Sequence, residues 1–169
     1  MATLEERVQR LEDLEAIRQL KAFYATCADA KYTDDHRRKP QAELDQVARE
    51  QASVFTDDGI WDGGPQFGRY VGREAIYENL RSGPWSFAVH YFVAPHLVID
   101  GDRAHGHWLL WQPATLAEGQ ISVLLSAFTD DTYMRTGGGW KITHMQFTLR
   151  FMTPSDTPWS QRRNMPFGA

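Results

Sequence analysis

An aspartate placed where a largely apolar helix ends and a histidine set among strand-forming residues are the two side chains in this sequence best suited to moving a proton. Asp29 closes the stretch from Ile17 to Ala28, where apolar residues occupy several helix faces. A carboxylate there loses hydration and needs a partner, and a carboxylate paired with a histidine is a proton-transfer unit. Helical spacing groups Asp29 with Arg18, Ala22 and Ala25, whose small members leave room for a ligand. The ordinary alternative is that Asp29 faces solvent or caps the helix end. His90 falls in the run Val89 to Val93, with Phe92 and Ala94 on its own face by two-residue alternation. Imidazole titrates nearest neutrality, so beside a carboxylate and facing a cavity it passes protons both ways. Facing the core, it would be a histidine satisfied by a backbone carbonyl.

The remaining candidates carry weaker patterns. His105 and His107 share a strand face, a spacing that invites a metal, but no third ligand stands at a recognisable spacing and Asp102 points the other way. No metal site is expected, and the pair is expected on an outer face. Tyr24, Trp61, Trp85, Trp108, Trp111 and Phe128 are aromatic groups able to line a pocket for a flat hydrophobic substrate, at least half of them being expected in the core. The candidate substrate contacts are Trp61, Trp108, Phe128, His107 and His144. Gly63-Gly64 and Gly137 to Gly139 read as turns and fit no phosphate loop or dinucleotide fingerprint, and no Gly-x-Ser-x-Gly nucleophile motif occurs.

Helices come first and strands later. Thr3 followed by Glu6 is a capping box, and Leu4, Val8, Leu11, Leu14, Ile17, Leu20, Tyr24 and Cys27 recur at helical spacing, predicting a helix to about residue 30. The segment 31–40 is polar and ends in proline, so it reads as a loop before a second helix over 41–55. Thr56-Asp57-Asp58-Gly59 reads as a break before a short strand at 60–62, and a further helix is predicted at 73–81. Strands are predicted at 87–100, 104–112, 120–135 and 140–152, separated by Gly- and Asp-containing turns, with an irregular tail over 153–169. Helices followed by long antiparallel strands define an α+β domain over 1–152, a curved sheet wrapped over helices with a pocket between.

Composition narrows the function classes. A chain of 169 residues, 42% hydrophobic and 24% charged, suits one globular domain. A net charge of −4 and no basic run longer than Arg37-Arg38-Lys39 argue against a nucleic-acid partner. The single cysteine, Cys27, excludes an internal disulfide. The N-terminus lacks the apolar stretch of a signal peptide and no run is long enough to span a bilayer, so a cytoplasmic protein with no membrane partner is expected.

An ordered set of segments resembles the SnoaL-like branch of the nuclear transport factor 2-like superfamily. The segments are Tyr24-Ala-Thr-Cys-Ala-Asp29, Val54-Phe55-Thr56-Asp57-Asp58-Gly59-Ile60-Trp61-Asp62, Gly72-Arg73-Glu74-Ala75-Ile76, His90, Val98-Ile99-Asp100-Gly101-Asp102-Arg103-Ala104 and Gly139-Trp140-Lys141-Ile142-Thr143-His144. The resemblance implies a cone-shaped α+β barrel, also described as cystatin-like, with a mostly antiparallel sheet wrapped around N-terminal helices. In members such as scytalone dehydratase, bile-acid 7α-dehydratase and hexachlorocyclohexane dehydrochlorinase, a first-helix aspartate orients a strand histidine that removes a proton while a leaving group departs. Neither metal nor organic cofactor takes part. By position, the resemblance implies Asp29 as the orienting carboxylate, His90 as general base and Tyr24 as the phenol that assists a carbonyl or leaving oxygen.

The resemblance thus implies a cofactor-independent lyase of dehydratase type acting on a small alicyclic, polycyclic or steroid-like substrate, and a homo-oligomer, dimer or trimer. The connection over 31–48 is longer than is usual after this aspartate, and Ala114 stands where scytalone dehydratase places a second histidine, leaving His144 and His107 as candidates for the leaving-group acid. Two other readings share the scaffold. An isomerase or polyketide cyclase would keep the pair but conserve substrate mass. A non-catalytic binding or assembly subunit, like the small subunit of ring-hydroxylating dioxygenases, would hold Asp29 and His90 beyond bonding distance.

Overall fold

The computed structural model of the chain describes residues 2–155 and 157–161. The first helix, α1 (Leu4–Asp29), begins at the capping box. The Glu6 amide donates to Thr3 Oγ1 (3.2 Å) and the Thr3 amide to Glu6 Oε2 (2.7 Å). Its burial starts only at Asp13: Leu4, Val8 and Leu11, which the periodicity places on a buried stripe, are exposed. The enclosed stripe is Ile17, Lys21, Tyr24 and Ala28.

The chain then turns through a Tyr32–Arg38 bridge into α2 (Gln41–Ala52). Strand β1 (Phe55–Asp62) is longer than predicted: Thr56 to Gly59 do not break the chain but lie within it. A register shift between Phe55 and Ile60 accommodates these turn-forming residues as an irregularity. Next come a single helical turn, α3 (Gly64–Phe67), where a plain turn is predicted, then β2 (Arg69–Val71) and α4 (Arg73–Ser82).

The strand predicted over 87–100 is two strands, β3 (Trp85–Ala88) and β4 (Tyr91–Asp100), both antiparallel to β5 (Arg103–Leu116). Pro113 supplies the reason. The Val89 amide donates to the Pro113 carbonyl (3.0 Å), but Pro113 has no N–H to return, so the ladder lapses at residues 89 and 90. Ala94 is likewise not in simple alternation with His90, since its φ of 49° accompanies a second register shift between Val93 and His96.

Strands β6 (Ser122–Thr136) and β7 (Gly139–Ser155) complete a curled seven-stranded sheet of order β2-β1-β7-β6-β5-β3, with β4 also on β5. The β1–β7 pair is parallel and the others antiparallel, so the sheet is mixed. Gly101, at φ 57°, makes the tight β4–β5 connection. The final strand runs to Ser155, past the predicted start of an irregular tail, and pairs there with Ser122; one 3-10 turn follows at Trp159–Gln161. The rest of the predicted tail lies outside the described residues. Helices over the concave face of a curled sheet make an α+β half-barrel, its core built on Ile17, Phe55, Ile76, Trp108, Tyr133 and Ile142.

Candidate active site

The His90 N–H points away from β5, since the ladder bond of this stretch runs from the preceding residue, Val89, to Pro113, and it is available to a partner off the sheet. It donates to Asp29 Oδ1 (3.0 Å), and the His90 Nδ1 lies 2.8 Å from the same oxygen. A carboxylate only accepts, so Nδ1 carries the ring proton and Nε2 is left with a free lone pair. Asp29 is the last residue of α1. Phe92 stacks on the imidazole with ring planes 11° apart, fixing its orientation.

His90 lines a cavity of about 710 Å³ between the helices and the sheet. Asp29 is not among the lining residues, and its side chain is 37% exposed against 14% for His90, so the acid keeps the hydration that the sequence reading expects it to lose and is the more solvent-open member of the pair. Tyr24 and Trp61 line it as well, with Trp61 Nε1 donating to the Tyr24 hydroxyl (3.2 Å). That leaves the phenol its own proton to give. Burial pushes the Tyr24 phenol well above its usual range, against the opposing Trp61 hydrogen bond, so the group stays protonated until a strong base forms next to it.

The structure separates the other predicted contacts from this cavity. Trp108 is buried in the core, its Nε1 donating to the Tyr133 hydroxyl (2.9 Å), and does not line the cavity. His107 bonds Asp130 through Nδ1 (2.8 Å) and packs on Phe128, whose ring faces Arg150 (5.9 Å); neither His107 nor Phe128 lines the cavity. His144, on β7 beside Ile60, is not a lining residue either. Strand alternation reverses at irregular points, and for Phe128 and His144 the shifts at Ser126/Ala127 and Thr132/Tyr133 spoil a simple count.

Several cavity residues carry no sequence signal as site groups. The connection after Asp29 contributes Lys31, Tyr32 and Arg38 to the lining. Lys31 Nζ donates to the Leu80 carbonyl (2.8 Å); burial, helped by the nearby Arg38 charge, pushes its ammonium down to about 7. Arg38 is held by the carbonyls of Gly83 and Arg81. Gln51 Oε1 and Gln112 Nε2 are enclosed polar atoms without a hydrogen-bond partner on the protein, and both residues line the cavity. Beneath Phe92 and Thr129, two more lining residues, Lys21 pairs with Asp131 (2.7 Å) in full enclosure. The spacing Ile17-Lys21-Tyr24-Ala28 does hold the clue to this pair, a lysine on the buried stripe of α1.

A half-barrel with a histidine, backed by a carboxylate, opening on a mostly apolar cavity defines a class of small-molecule site. Residues 45–146, more than half of the chain, match the model of the SnoaL-like domain, and the chain belongs to that family. Over 109 residues it is 27% identical to hexachlorocyclohexane dehydrochlorinase 1 of Sphingobium indicum, which spans 61% of this chain and 69% of that protein. It is 28% identical over the same length to the gamma-hexachlorocyclohexane dehydrochlorinase of that species, spanning 61% and 68%. Among solved structures, a type 2 hexachlorocyclohexane dehydrochlorinase superposes with a TM-score of 0.74 at 21% identity, covering 96% of this chain and 99% of the other. A nuclear transport factor 2-like protein with a cystatin-like fold from Novosphingobium aromaticivorans gives 0.69 at 21%, covering 89% and 92%. Both superpositions bear on the fold alone, an α+β half-barrel shared with that cystatin-like structure.

Proposed function

We propose that the chain is a cofactor-independent lyase that removes water or a comparable leaving group from a small cyclic hydrophobic substrate. The observation that carries this reading is the 2.8 Å contact of His90 Nδ1 with Asp29 while the imidazole meets an apolar cavity. The dehydrochlorinases it resembles are lyases by name, which supports elimination over a purely binding role. His90 Nε2 takes the proton from a carbon acidified by its neighbour, the C–H electron pair forms the new double bond, and the leaving group departs from the adjacent carbon. Asp29 keeps Nδ1 protonated and stabilises the imidazolium. Tyr24 gives its proton to departing hydroxide, and the imidazolium proton then restores the phenol.

The test is incubation with cyclic β-hydroxyketones and with hexachlorocyclohexane, following loss of water or of hydrogen chloride by mass. The wild-type chain should turn over at least one of these, and His90→Ala should lower the rate by about 10² to 10⁴-fold. Equal rates in the two proteins would refute the assignment, and a product of unchanged mass would mark an isomerase.

A further inference from the structure

Apart from His90, Lys31 and Arg38 are the ionisable side chains of opposite sign to a carboxylate in the cavity lining, and no aspartate or glutamate is among the lining residues. Among the described residues neither cation has a carboxylate within ion-pair distance. Lys31 Nζ donates to the Leu80 carbonyl (2.8 Å), Arg38 Nη1 to that of Gly83 (3.0 Å) and Nη2 to that of Arg81. These carbonyls lie at the end of α4, where a helix leaves its acceptors unpaired, and uncharged donors would satisfy them without enclosing charge. Each cation also has more N–H groups than the carbonyls take up. Lys21 makes the contrast: it is 0% exposed and holds Asp131 at 2.7 Å, whereas Lys31, 9% exposed, has a neutral carbonyl in that place. A shortage of acid does not explain this, since the chain carries 22 acidic residues against 18 basic. Enclosure and then Arg38 disfavour the Lys31 ammonium, and the surrounding groups offset them only in part. Cys27 on α1 is a thiol kept protonated by burial, with Glu50 of α2 acting the same way, and Tyr32 is a phenol also kept protonated by burial. Asp29 attracts the ammonium but is engaged by His90.

We infer that Lys31 and Arg38 form a cationic pole that receives the carboxylate of a ligand whose rings fill the apolar part of the cavity, so that the substrate is a cyclic hydrophobic acid. This deepens the lyase reading and rests on it for the reaction. A carboxylate at the pole gives both cations the counter-charge that the protein withholds, through charge-assisted hydrogen bonds to their unused N–H groups. It also reverses the balance at Lys31: an amine that enclosure holds partly neutral takes a proton from solvent as the anion arrives. No bond of the ligand is made or broken there. The pole anchors the acid end and leaves the ring C–H groups to His90, and it gives the long connection over 31–48 a part in choosing the ligand.

The test uses 2-naphthoate and 2-acetonaphthone, one bicyclic skeleton bearing an anionic or a neutral group of similar shape. Titration calorimetry of the full chain at pH 7, in two buffers of different ionisation enthalpy, reads affinity and proton uptake together. The wild-type protein should prefer the carboxylate by about tenfold or more, and should take up about half a proton with it and none with the ketone. Lys31→Met should lose the uptake and most of the preference while keeping its affinity for the ketone. Lys31→Arg should regain the preference without the uptake, because a guanidinium stays charged throughout. His90→Ala should keep both. A wild-type ratio near one, a ratio unchanged in Lys31→Met, or failure of both probes to bind overturns the proposal. So does a preference lost in His90→Ala but kept in Lys31→Met, which would put the anion on the imidazole. Each of these results leaves the elimination assay to judge the Asp29–His90 pair. The expected preferences alongside a His90→Ala protein that eliminates at the wild-type rate would instead sink the lyase reading and retain the acid-binding pole.

Discussion

Replacing Lys21 with methionine gives the sharpest physical test of how the cavity floor is built. The ammonium donates to Asp131 Oδ2 (2.7 Å) and Thr129 Oγ1 (3.0 Å) and lies 4.1 Å from the centre of the Phe92 ring, with both members of the ion pair sealed from solvent. Burial pushes the lysine below its ordinary range and the Asp131 carboxylate beside it opposes the shift. Methionine keeps most of the volume but leaves Asp131 with the Tyr133 hydroxyl (2.8 Å) as its side-chain donor and with Oδ1 still unpartnered. Removing one member of such a pair costs about 3 to 5 kcal/mol. In a chain of this length that is a melting-temperature loss of roughly 6 to 20 °C. The double variant Lys21→Met, Asp131→Leu removes both desolvation penalties and should regain most of the loss, short of about 1 kcal/mol for the Tyr133 proton left without an acceptor. Urea unfolding of the four proteins closes a cycle whose coupling should exceed about 2 kcal/mol. A Lys21→Met protein within about 1 kcal/mol of wild type, or a double variant as unstable as the two single losses added, would refute the reasoning.

Two further outcomes follow from the site. Lys31, held at about 7 in the fold, is charged more readily unfolded, so the unfolded chain binds the extra proton between about 7 and its ordinary 10.5. Stability should therefore rise with pH across that window, and Lys31→Met should flatten the rise and be more stable at pH 7 by about 3 to 5 kcal/mol; identical melting profiles would show the ammonium to be well solvated. Asp29→Asn substitutes an amide that can accept from the His90 backbone but no longer stabilises an imidazolium. Turnover should fall by about 10² to 10⁴-fold with the fold intact by circular dichroism, and a smaller effect than about tenfold would remove Asp29 from the mechanism.

The parts of this molecule governed by local chemistry were legible in its sequence. The capping box at Thr3 and Glu6 marks the start of α1, and glycine with aspartate marks the β4–β5 turn, because those contacts lie within a few residues. Asp29 and His90 stood out as types, yet their meeting depends on where the end of α1 lies against the sheet and on the strand register that turns the His90 amide away from β5. Gln112 was silent since an amide in a strand has no distinctive spacing. Trp108 and Phe128 look as eligible as Trp61, and only curvature and register shifts decide that Trp61 meets the cavity while the others meet the core or the outer face. The extent of β1 through Asp57-Asp58-Gly59 escaped for a like reason: pairing to distant β7 at Phe55 and again from Ile60 flanks these turn-forming residues, which the strand carries as a register shift.

One oxygen of Asp29 accepts from both the main chain and the ring of the same residue. The grip on the helix end therefore does not depend on what the imidazole is doing. A ring that swings toward a departing molecule, or gains its second proton, leaves the peptide bond still tethered to the acid, so the pair can come apart at one joint and close again without the helix drifting from the strand. The tether would also outlive the histidine: any residue but proline at that position keeps the amide, so the helix end stays moored whichever side chain stands there.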